Sequence, residues 1–96
     1  MPRCNRWENL YKWALDQGNE LKALEFKEKL VECIVYSLWH LVREKELDEA
    51  EELLKYGHEV AKKYNIPELE FHLSLIEEEV NRIREIYRKL GRGEKV

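Results

Sequence analysis

The stretch LVECIVYSLWHLV, Leu30 to Val42, decides the fold. Ten of its thirteen residues are apolar, and only Glu32, Ser37 and His40 interrupt it. It lies inside one long helical pattern with charged turns on either side. A helix that is apolar on nearly every side must be buried on nearly every side. This segment is therefore expected to be the centre around which the other helices gather. Glu32, Tyr36, His40 and Arg43 make the one line along it that is expected to meet solvent or a polar contact.

Reading outward, apolar periodicity and helix punctuation predict an all-α fold of four antiparallel helices, about 3–17, 19–46, 48–64 and 67–90. In the first, Cys4, Trp7, Leu10, Tyr11, Ala14 and Leu15 recur at three- and four-residue spacing, and Gly18 supplies the stop. Asn19 is the expected N-cap of the second helix, which meets no breaker before Glu46. Asp48 is read as the N-cap of the third, with Glu51 completing a capping box. Asn65-Ile66-Pro67 ends it, and Pro67 suits the first turn of the next helix. In the fourth, Leu69, Leu73, Ile76, Val80, Ile83, Tyr87 and Leu90 keep alternating spacings of four and three, a heptad seam. The chain reads as a single helical domain with a frayed tail over 91–96, arranged as a helical bundle or as stacked helical hairpins.

The helix lengths do not match. The first helix covers only the first half of the second, and the third covers only the other half. The fourth should overshoot the third by about two turns, carrying Ile86, Tyr87 and Leu90 with Arg84, Arg88 and Lys89. Two arrangements cover the exposed apolar surface. In one, two chains associate through helices two and four as a homodimer, with Trp13, Tyr36, Trp39, Ile86, Tyr87 and Leu90 as interface candidates. In the other, helix two kinks near Lys29–Glu32 and the chain folds up on itself.

Ninety-six residues, 39% of them charged, make one small domain. Thr is absent and Gln occurs once, a Glu/Lys-rich usage resembling that of hyperthermophile proteins and shared by designed helical proteins. The net charge of −3 gives no global attraction to nucleic acid or anionic membrane. The charge is unevenly placed. Residues 44–59 carry seven acids against two bases, and residues 82–96 carry six bases against two acids. No apolar stretch reaches the roughly 18–20 residues of a membrane span, and the N-terminal MPRCNRW lacks the apolar core of a signal peptide. A cytoplasmic location without membrane association is expected.

The segment LDEAEELLKYGHEVAKKYN (47–65), followed by IPELE, resembles the second helix of a tetratricopeptide-type repeat and the turn into the next. Ala50, Leu54, Gly57 and Ala61 match its packing positions, and the likeness covers about residues 33–80. The resemblance implies a protein-binding scaffold rather than an enzyme.

Candidate chemistry is sparse. Cys4 stands fourteen residues before Gly18 and Cys33 fifteen after it, so antiparallel helices bring them to about the same height. A disulfide is sterically open to them. The other reading is a small buried Cys33 with a half-exposed Cys4. The absence of Cys-x-x-Cys removes zinc-knuckle and thioredoxin-like sites. His58, Glu59, Glu68 and His72 flank the third turn and make an imaginable two-His carboxylate site, set against ordinary surface pairing. Ser37 and Ser74 are the only serines, and no nucleophile with a neighbouring base can be assembled. No Gly-rich phosphate loop occurs. Arg82, Arg84, Arg88, Lys89 and Arg92 are possible phosphate contacts. The leading expectation is a self-associating protein-interaction scaffold with an unnamed protein partner, no cofactor, no metal and no catalysis. Nucleic acid is not among its expected partners. The second reading is a nucleic-acid-associated accessory protein acting through the basic C-terminal helix.

Overall fold

The computed structural model describes residues 2–91. The fold is all-α. Four helices follow one another, α1 Pro2–Asp16, α2 Glu20–Arg43, α3 Leu47–Tyr64 and α4 Pro67–Gly91, and no strand occurs among the described residues. The chain groups into two compact units, Met1–Ser37 and Leu38–Val96, with the boundary inside α2.

In the first unit α1 and the first part of α2 bury Cys4, Tyr11, Ala14, Ala23, Leu30, Ile34 and Val35. Cys4 and Cys33 are joined by a disulfide, with their Cα atoms 5.7 Å apart. Cys4 is the buried member and Cys33 is half-buried. The bridge closes a loop of 29 residues. The chain-entropy model assigns such a loop roughly 3–4 kcal/mol of stabilisation. Trp7 on α1 and Phe26 on α2 meet at a tilt, their ring centroids 6.1 Å apart.

In the second unit the buried face of α3 is Leu47, Ala50, Leu53, Leu54, Gly57, Val60 and Ala61. It packs against α4, whose seam residues Leu69, Leu73, Ile76, Val80 and Ile83 are all buried. Fully burying each large aliphatic side chain contributes roughly 1.5–3 kcal/mol. The seam stops at Ile83, and Tyr87 and Leu90, which continue its spacing, are exposed.

Three helix ends share one device, a residue in the left-handed region that lets the following amides turn back to the last carbonyls. Gly18 takes φ 70° after α1, and Gly18 N–H and Asn19 N–H donate to Leu15 and Ala14. Asn65 takes φ 56° after α3, and Ile66 N–H donates to Ala61. Lys45 takes φ 61° after α2, and Lys45 and Glu46 N–H donate to Val42 and Leu41. This last turn corrects the expected boundary. The second helix ends at Arg43 rather than 46, because a Lys adopts the conformation that sequence patterns assign to Gly or Asn. It also corrects the expected cap. Asn19 Oδ1 does accept Lys22 N–H at 3.1 Å. Asp48, however, lies inside α3, and the N-cap residue is Glu46, which makes no side-chain cap hydrogen bond.

From Glu20 to Arg43 α2 runs unbroken. Leu30, Ile34, Val35, Leu38 and Val42 are buried within one chain, while Glu32, Tyr36, His40 and Arg43 are exposed. Gly91 is the last residue of α4, and the rest of the expected tail, 92–96, lies outside the described residues.

Candidate nucleic-acid interface

The end of α4 gathers the bases of the chain for a local reason. Antiparallel packing places the N-terminus of α3 beside the C-terminal part of α4. The helix dipole favours acids at the first and bases at the second. Asp48 and Glu49 occupy the first turn of α3, and Arg88 and Lys89 the last turn of α4. Arg84 links the two. Its Nε donates to Glu51 Oε2 and its Nη2 to Asp48 Oδ1, each at 2.8 Å. Hydrogen bonds from the guanidinium to Glu51 and Asp48 hold its pKa above the ordinary arginine value. From this anchor, the rise of about 1.5 Å per residue carries roughly the last turn of α4 past Leu47, the first residue of α3. The expected overshoot of two turns is thus nearer one.

The basic residues differ in how free they are. Arg84 is held by two carboxylates and acts as a tie between helices. Arg82 donates to Glu79 in an exposed pair one turn apart, Nε to Oε1 at 3.2 Å, and Arg88 pairs likewise with Glu85. Such exposed pairs are weak and exchange readily for another anion. Lys89 is exposed in the last turn. Arg92 lies outside the described residues. The turn between α2 and α3 has the opposite character. A hydrogen bond with Glu49, then the charge of Glu49, some desolvation and the charge of Glu44 push the Glu46 carboxyl above its ordinary range. That acidic turn runs straight into α3, whose first turn Arg84 of α4 contacts through Asp48.

The other expected site residues fall elsewhere. In the first unit Trp13 is exposed, and Leu15 and Leu24 line an open groove of about 400 Å³ between α1 and α2. Tyr36 is exposed and Trp39 half-buried on α2. The imagined metal set is not assembled. His58 places Nδ1 3.2 Å from Glu70 and Nε2 2.9 Å from Glu77. With each ring nitrogen facing a different carboxylate, the imidazole is occupied as a cross-helix link. Among the described residues no group of three or more His, Cys, Asp or Glu could hold a metal ion. Partial burial works to lower the His58 pKa, but the hydrogen bonds and charges of Glu77 and Glu70 outweigh it and raise the net value above 6.5.

A family model for archaeal ribosomal protein aL49 matches residues 3–88, nearly the whole chain. The chain belongs to the aL49 family. No curated protein gives a significant match.

Membership in the aL49 family overturns the tetratricopeptide resemblance, which rested on small and large packing positions that any two closely packed helices share. It overturns the free-standing interaction scaffold, the homodimer and the exclusion of nucleic acid with it. One of the two physical grounds for the dimer fails as well, since one chain already buries the inner face of Leu30–Val42, while Ile86, Tyr87 and Leu90 stay exposed. The acidic segment meets the basic one within a single chain, through Arg84 with Asp48 and Glu51. No helix among the described residues is long and apolar enough to cross a membrane.

Proposed function

We propose that the chain is a structural, non-catalytic constituent of the ribosome, located with it in the cytoplasm, and that it contacts ribosomal RNA through the C-terminal end of α4. The observation that carries this reading is the aL49 match over residues 3–88. Its electrostatics are consistent with one limited RNA-facing region. A net charge of −3 and an acidic α2–α3 turn disfavour wrapping by RNA. Arg82, Arg88 and Lys89 supply a local basic end whose existing partners are weak.

Gradient sedimentation of a lysate from cells carrying the tagged chain tests the reading. The chain should travel with ribosomal particles at low salt and leave them progressively as salt rises. A chain that remains at the top of the gradient at low salt would contradict it.

A further inference from the structure

We propose that Tyr87 and the bases around it form a stacking platform for an unpaired RNA base, so that α4 reads single-stranded or looped RNA rather than duplex. The inference rests on the proposed RNA contact and deepens it by naming the class of RNA.

Tyr87 lies on the same helical seam as Ile83, yet Ile83 is buried and Tyr87 is 49% exposed. Ile86 and Leu90, four residues apart and so on one face, stand beside it at 41% and 75% exposure. Charged residues border this apolar strip on both sides. On one edge Arg84, already held by Glu51 and Asp48, stands next to Tyr87, and Arg88 lies beyond it. Arg82 and Lys89, two turns apart on a common face, line the other.

An aromatic and apolar strip between two basic edges fits a nucleic-acid strand with bases turned inward and phosphates outward. A base unpaired in a loop or single strand exposes its π face to a tyrosine ring, and stacking of this kind does not depend on base identity. A duplex keeps its bases stacked on each other and offers these residues only phosphates. The bases can turn to phosphate at small cost because their pairs with Glu79 and Glu85 are exposed.

Binding of the full chain to fluorescent oligouridine and to a blunt RNA duplex of equal length, at matched salt, tests the platform. Oligouridine should bind more tightly. Tyr87→Leu, which keeps an apolar side chain, should weaken oligouridine binding roughly 5- to 150-fold, the range for loss of one base stack. Tyr87→Phe should retain it, and neither change should alter duplex binding or helicity. Equal affinity for the two RNAs, or a Tyr87→Leu chain that binds oligouridine like the wild type, would overturn the platform. If oligouridine does not bind while the chain still sediments with ribosomes, the platform falls and the ribosomal reading stands. If sedimentation with ribosomes fails too, both fall.

Discussion

Arg84 on α4 donates through Nε to Glu51 on α3 at 2.8 Å, and its Nη2 reaches Asp48 at the same distance. One side chain thereby ties the two helices together where α3 begins. The carboxylates it uses are those that a capping-box reading assigns to the helix terminus. Glu51 is the firmer partner, because the Asp48 side chain is almost wholly in solvent.

Arg84→Met should therefore lower the stability of the second unit by no more than about 1 kcal/mol, the upper end for exposed ion pairs. Urea unfolding should show the loss shrinking as salt rises. The same substitution should leave the salt dependence of RNA binding unchanged, whereas Lys89→Met should reduce that slope by about one ion's share. A slope that falls with Arg84→Met would make Arg84 a phosphate ligand instead of a tie.

His58 gives the second unit a pH dependence with a defined sign. Its pKa is raised above 6.5 in the folded chain by Glu77 and Glu70. The contribution is therefore fully present below 6.5 and is lost as pH rises through the folded value. Titration of the His58 ring protons by NMR should give a midpoint above that of an unfolded control, and Glu77→Gln should lower it. A midpoint at or below 6.5 in the wild type would remove the link.

The Cys4–Cys33 bridge predicts that unreduced, denatured protein holds no reactive thiol, since both cysteines of the chain are in the bond. Two reactive thiols in that assay would rule the bridge out. Cys33→Ser should destabilise the first unit by up to roughly 3–4 kcal/mol, the entropic figure for a loop of this length. The loss should appear as earlier melting of α1 against α2.

Lys45 holds a left-handed conformation that costs a side-chain-bearing residue roughly 1–2 kcal/mol. Lys45→Gly removes that cost but adds backbone freedom to the unfolded chain, roughly 0.5–1 kcal/mol. The net expectation is a gain of about 0.5 kcal/mol in denaturant unfolding. A clear loss of stability would mean that the lysine side chain contributes more than its 3.5 Å contact with the Arg43 carbonyl suggests.

The helices were legible because burial imposes a 3.6-residue period, and the Leu69–Ile83 seam carries it without interruption. The alignment of Cys4 with Cys33 was legible from their near-equal distances to Gly18, although distance alone does not decide between bridge and free thiols. Lys45 was not legible as a terminator, because its conformation is held by bonds to Val42 and Leu41 rather than by its own preference. Asp48 reads as a cap in the sequence because a helix-terminal acid serves equally as a cap or as a partner for a distant arginine. The end proposed to face RNA reads in the sequence as a cluster of basic residues. A chain with a net charge of −3 and an acidic α3 nevertheless looks unlike a nucleic-acid binder unless the two charge clusters are weighed separately. Family membership rests on a match over residues 3–88.

Cryo-electron microscopy of ribosomal particles carrying the chain tests the central claim most directly. The account predicts density for the helices on the particle, with Arg88 and Lys89 at hydrogen-bonding distance from ribosomal RNA phosphates and the acidic α2–α3 turn directed away from RNA. An α4 end left in solvent, or a chain held through its acidic turn with no RNA against α4, would contradict it.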